Sequence, residues 1–126
     1  MAKSIAFGLM ACALASLAGC ASQASLREAH PVVDEATKQA PDRVAGCIGD
    51  KLEALSSVSH TSISTDPTEA GGFRISGHQM LNGLNITPDT ILLVDIAPEA
   101  GSSRVQLYTY FLTRDNWVPQ VVRSCL

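Results

Sequence analysis

The first 19 residues set how much of this chain can enter a folded domain. Met1-Ala2-Lys3-Ser4 holds one positive charge, and the run that follows, IAFGLMACALASLAG, is uncharged and almost wholly apolar. A basic start, an apolar stretch and small residues at its end are the pattern of a secretory signal, which the mature protein loses. The uncharged run is about 15 residues, short of the roughly 20 that a spanning helix needs. A buried core helix fits less well still, because no polar positions mark an outward face. On this reading the fold is built from residues 20–126.

The tetrad Leu17-Ala18-Gly19-Cys20 closes the apolar run. It resembles the lipobox of bacterial lipoproteins, an aliphatic residue and two small ones ahead of a cysteine. The resemblance implies that the Cys20 thiol carries a diacylglycerol through a thioether and that cleavage falls between Gly19 and Cys20. It also implies fatty acylation, with palmitate as a representative chain, at the new amino group. Each buried methylene contributes about 0.8 kcal/mol, so two or three chains anchor a protein firmly where one holds it marginally. Ala21-Ser22 follow the cysteine, with no aspartate at the second mature position. By resemblance to enterobacterial sorting, that implies the outer membrane, with the domain facing the periplasm, over retention at the inner membrane. An ordinary secretory signal that happens to contain a cysteine is the alternative.

The chain has four cysteines. Cys12 leaves with the signal and Cys20 is the acylation site, so Cys47 and Cys125 remain as an even pair in an oxidising compartment. A disulfide between them is expected. It would close a loop of about 78 residues, worth roughly 4.5 kcal/mol on the chain-entropy model. Two buried thiols or a metal pair are the alternatives, although neither cysteine has a histidine or cysteine at metal-ligand spacing. No Cys-x-x-Cys pair is present, so the bridge reads as structural. No cofactor is expected. Removing residues 1–19 from 126 leaves 107, enough for one domain. Lys3 is the only charge lost, which leaves 8 basic and 12 acidic side chains, a formal net of −4. Without a clustered basic face, nucleic acid is not an expected partner.

Residues 20–40 are short of large apolar side chains and interrupted by Pro31, and read as an acylated N-terminus and flexible tether. A single domain is expected over 41–126. Pro41 suits the first position of a helix, with Asp42 facing its positive end. Val44, Cys47, Ile48, Lys51, Leu52 and Leu55 recur at three and four as an apolar stripe, with Gly46 and Gly49 expected on the opposite face. The period then changes to two. Thr61, Ile63 and Thr65, a turn-rich link, and Phe73 and Ile75 form one hairpin; residues 90–97 and 104–113, joined by Pro98 to Ser103, form another. Residues 77–89 read as a loop. Trp117, Val121, Val122 and Cys125 fit a short terminal helix, a fifth strand being the alternative. The expected fold is α+β: a four-stranded antiparallel meander, α-β-β-β-β-α, with both helices on one sheet face.

This pattern, with AGCIGDKLEAL on a helix and VVRSCL at the end, resembles a loose group of small proteobacterial lipoproteins. The resemblance implies no activity. Small α+β lipoproteins of outer-membrane assembly share the size and anchor but place two helices before three strands. Lysozyme-inhibitor lipoproteins share the size and a disulfide but are all-β, and their Ser-Gly-x-x-Tyr loop is not met by Gly101-Ser102-Ser103-Arg104-Val105.

Catalytic signals are weak. His60 and His78, with Asp66 or Asp95 and any of many serines, allow a hydrolase triad on paper. There is no Gly-x-Ser-x-Gly elbow, and the two histidines lack a third ligand for a metal. No catalytic or metal residue is therefore assigned. The better candidate is the sheet face turned from the helices. If Leu92, Val94 and Ile96 face the core, Leu93 and Asp95 face out, as do Tyr108 and Tyr110, with Arg74 nearby. Tyrosine and arginine on an exposed patch are what binding surfaces favour. The leading expectation is a lipid-anchored, non-catalytic periplasmic interaction module that docks an envelope protein or polymer through Arg74, Asp95, Tyr108 and Tyr110. A small hydrolase using His60 or His78, or an envelope inhibitor of a hydrolase, is the alternative.

Overall fold

In the computed structural model, residues 21–59, 61–79, 90–109 and 117–126 are described. They form α1 (Ala21–Glu28), β1 (Val33–Thr37), α2 (Pro41–Ser59), β2 (Thr61–Pro67), β3 (Phe73–Gln79), β4 (Thr90–Glu99), β5 (Ser102–Thr109) and α3 (Trp117–Arg123). The strands pair antiparallel in one sheet of order β1-β5-β4-β3-β2. Strands β1 and β2 are thus the two edges, and α2 connects them. Four inter-strand steps of about 4.8 Å separate the edges by about 19 Å. A helix of 19 residues is about 28 Å long. It is therefore long enough to cross the sheet diagonally, and it packs on β2, β3, β4 and β5.

The helical stripe read from the sequence makes the core. Val44, Ala45, Ile48 and Leu52 of α2 pack on Ile75, Leu92, Val94, Ile96, Val105 and Leu107, with Val33, Val122 and Cys125 in the same cluster. Lys51 and Leu55 lie at its exposed margin. Gly46 is exposed, as expected, but Gly49 is buried against the sheet, and a Cβ there would sit 3.0 Å from Thr65 Oγ1. Its placement corrects the reading that both glycines face outward.

Residues 117–123 form a helix, which removes the strand alternative for that stretch, and buried Pro119 sits in the first turn where its missing N–H costs nothing. Cys47 and Cys125 are joined in a disulfide with Cα atoms 5.8 Å apart. A bridge of this kind is consistent with an extracytoplasmic domain, since it persists in an oxidising compartment. Polar contacts add to it. Lys51 Nζ donates to Ser124 Oγ at 2.8 Å, and Gln39 Nε2 donates to the Cys125 carbonyl at 3.1 Å. The Gln39 carbonyl accepts from buried Ser103 Oγ at 2.8 Å.

Two turns show why particular residues stand where they do. Glu99 pairs with Ser102, and Ala100 and Gly101 between them have φ of 44° and 85°. Both central residues are left-handed, the geometry of a two-residue hairpin whose twist matches its strands. In the β2–β3 link, Thr68 Oγ1 accepts from the Gly72 amide at 3.1 Å. A Cβ on Gly72 would collide with the Ile96 carbonyl oxygen, so the link can pass the end of β4 only without a side chain.

The expected four-stranded α-β-β-β-β-α meander is corrected. The sheet has five strands, and the described residues hold three helices. The fifth strand, β1, and the extra helix, α1, both come from residues 20–40, where the sequence predicts a tether. Strand β1 escaped notice because its sequence, VDEAT, does not alternate: only Val33 and Thr37 are buried. Its inward-parity Glu35 instead meets Arg123 of α3, Nε to Oε1 at 3.6 Å, while Asp34 on the other side pairs with Arg104 at 2.8 Å. Charges on an edge strand are a common guard against unwanted pairing, and they erase the apolar signal. Helices α2 and α3 do share one face, but α1 covers the other, lying on β4 and β5. Among the described residues, no helix is long and apolar enough to cross a membrane.

Candidate functional site

Alternation along the strands places one polar rung across the whole sheet, on the face away from α2. Asp66 of β2 stands opposite Arg74, Arg74 opposite Asp95, Asp95 opposite Gln106, and Gln106 opposite Asp34 of β1. The neighbouring rung runs Ser64, Ser76, Leu93, Tyr108. Ser64 Oγ and Ser76 Oγ share a hydrogen bond of 2.9 Å. On one side of Leu93, then, the surface is apolar and aromatic; on the other it is hydroxylic. One rung away it is charged.

Helix α1 rests on the apolar half. Leu26 is buried in a small cluster with Leu93 and Tyr108, separate from the main core. The next residue, Arg27, reaches the polar rung. Its Nε donates to Asp95 Oδ2 at 3.0 Å and its Nη2 to Oδ1 at 3.1 Å, a two-pronged pair. Arg74 Nε donates to the same Oδ1 at 3.3 Å. Asp95 thus accepts from two guanidiniums on different elements, with its side chain 25% exposed. Arginine suits this role because its planar fork matches both carboxylate oxygens at once.

The electrostatics follow from that geometry. Hydrogen bonding to Asp95 pushes the Arg27 pKa further up from its already high value, more than partial burial pulls it down, and the carboxylate charge adds to the rise. Tyr108 is also raised, chiefly by burial, then by the Asp95 charge, with Arg27 opposing. Its hydroxyl donates to Gln106 Oε1 at 3.4 Å. The site therefore offers a fixed carboxylate between two fixed cations, beside a neutral phenol.

The sequence-derived candidates divide cleanly. Arg74, Asp95 and Tyr108 are brought together on one face, as the strand parity predicts. The expectation that this patch lies open is corrected at its centre: Tyr108 is 8% exposed and Leu93 fully covered, because α1 sits on them. Tyr110 lies outside the described residues, as do Cys20 and His60. His78 is half-buried on β3, opposite Ser62 and Thr90, next to the irregularity at Gly77. Asp95, offered as a possible acid for a triad, is instead engaged by arginines. Among the described residues, no three His, Cys, Asp or Glu side chains are grouped to hold a metal.

Leu26 and Arg27 were missed by sequence reasoning. The available signal was slight: Leu26 is the one large apolar side chain in ASQASLRE, followed directly by the only cation. Compared with protein-family models, with curated proteins and with solved structures, the chain matches none.

Proposed function

We propose that this chain is a lipid-anchored lipoprotein of the bacterial cell envelope that works as a non-catalytic interaction module, held at the outer membrane by acylated Cys20. The recognition surface is the β3-β4-β5 face bearing Arg74, Asp95 and Tyr108. The observation that carries the binding role is the convergence of two arginines on one partly exposed aspartate beside an aromatic and apolar patch. Such clusters supply recognition energy without chemistry. The lipobox resemblance and the disulfide support the location.

Metabolic labelling with radioactive palmitate tests the anchor. Full-length protein takes up label and fractionates with membranes, whereas Cys20→Ser loses both while keeping its disulfide; an unlabelled wild-type protein would sink the anchor. Under the sorting rule, Ala21→Asp moves the protein from outer-membrane to inner-membrane fractions. The binding role is tested by a photo-crosslinking residue at position 106, half-buried on the recognition face, with exposed position 69 as control. Discrete adducts at 106 and none at 69 support a docking partner, and equal behaviour at the two positions counts against it.

A further inference from the structure

The apolar half of the recognition face already has an occupant, supplied by its own chain. Helix α1 has eight residues, fewer than the roughly 12–15 at which an isolated helix becomes even marginal in water, so its shape depends on the sheet beneath. The attachment is narrow. Among its described side chains, one leucine is buried and one guanidinium, its side chain 32% exposed, makes the ion pair, with Ser25 also engaged. Beyond Glu28, only Ala29, His30 and Pro31 separate α1 from Val32, whose amide donates to the Leu107 carbonyl at 2.7 Å. Strand β1 is therefore secured independently of the helix. Short segments held by few buried contacts open locally while the core stays folded.

Lifting α1 leaves a surface of definite character. Leu93 and Tyr108 are bared beside Asp34, Asp66 and Asp95, against Arg74 and Arg104. The vacated face lacks one apolar side chain and one cation, set next to each other. Strands β4 and β5 are interior to the sheet, so their backbone groups are already paired and only side chains can be offered to a partner. That excludes strand addition and favours a helix laid across the face.

We infer that this face docks an amphipathic helix of a partner protein presenting an apolar side chain beside an arginine, and that α1 is its internal competitor, displaced as the partner binds. The inference deepens the interaction-module reading and rests on it. Arginine is selected over lysine, because Arg27 engages both Asp95 oxygens through two nitrogens, which a single ammonium cannot reproduce.

The test uses full-length protein purified in detergent and a fluorescent peptide of residues 21–32, ASQASLREAHPV, as probe. A Leu26→Ala/Arg27→Ala chain, with its internal competitor weakened, binds the peptide at least tenfold tighter than the wild-type chain does. Adding Asp95→Asn to that chain, or replacing the peptide's arginine by lysine, weakens binding at least tenfold. No binding to either chain, with circular dichroism and the disulfide intact, overturns the inference. If the double variant does not fold, hydrogen exchange on the wild-type protein decides. Amides of residues 21–28 that exchange well before those of β4 support a releasable α1. Exchange of both only through global unfolding overturns it, since a face never vacated cannot take a partner. The anchor reading fails separately: peptide binding without palmitate label removes the anchor and keeps the docking face, and label without binding does the reverse.

Discussion

Ala100 occupies a backbone position that favours glycine or asparagine. With φ of 44° its Cβ crowds the following carbonyl, a cost of about 1–2 kcal/mol for an L-residue, part of which glycine would return as unfolded-state entropy. Ala100→Gly is expected to stabilise the domain by about 0.5–1 kcal/mol in urea denaturation, with an unchanged denaturant slope. Tyr108 makes a second prediction at this scale. Burial raises its folded pKa above the ordinary value near 10, so folding favours the protonated phenol. Its contribution is fully present below the unfolded value and is lost as pH rises through the higher folded one. Tyr108→Phe should therefore flatten the fall in stability above about pH 10, followed by circular dichroism across an alkaline titration. Residue facing was legible here and residue exposure was not. Strand parity placed Leu93, Asp95 and Tyr108 on one side, but parity is a property of a single strand. What covers them depends on a helix dozens of residues away in the chain.

Among the elements, those with a strong period were readable. Helix α2 announced itself through Pro41 and the Val44, Ile48, Leu52 spacing, and β4 through its apolar run, because each buries a continuous stripe against the core. Helix α1 and β1 have no stripe to show. Among their described side chains each buries one or two and otherwise shows ions: Arg27 to Asp95 and Asp34 to Arg104 within the sheet face, and Glu35 to Arg123 of α3. A charge reads the same in sequence whether it faces water or an opposite charge, so both segments looked like tether. The thinness of the α1 contact has an energetic corollary. Burying Leu26 contributes about 2–3 kcal/mol, and the Arg27–Asp95 pair, partly exposed, about 1 kcal/mol. Leu26→Ala is expected to bring the α1 amides close to the exchange rates of an unstructured peptide while leaving those of β4 slow, as mass-spectrometric hydrogen exchange would show. A matching slowdown lost throughout the sheet would mean that α1 is integral to the core.

For the whole molecule, the decisive features are the diagonal helix and the bond that locks it. Helix α2 joins the two sheet edges, and the Cys47–Cys125 bridge ties its early turns to the chain end across 78 residues. On the chain-entropy model, opening that loop costs about 4.5 kcal/mol, a large part of what a domain of this size has. Cys47→Ala/Cys125→Ala should lower the urea midpoint accordingly, and reduction of the wild-type protein should reproduce the shift. An unchanged midpoint would mean that packing of Val122 and the Gln39 and Lys51 contacts suffice to hold α3.

The same bridge divides the chain by how it would answer a pull. Everything from Cys47 to Cys125 lies within a covalent ring, so tension entering at residue 20 cannot draw that part out to its full length. Among the described residues, α1, β1 and the first turns of α2 stand ahead of the ring. They would yield in sequence, α1 before β1, since β1 is also held by a backbone ladder to β5. The 27 residues from Cys20 through Gly46 could then span no more than about 97 Å before the load reached a sulfur–sulfur bond. A domain stretched from its N-terminus in optical tweezers should lengthen in small steps to that limit and stop, and it should run on to the contour length of the whole chain once reductant is added. The molecule is built as a short, graded spring in front of a stop.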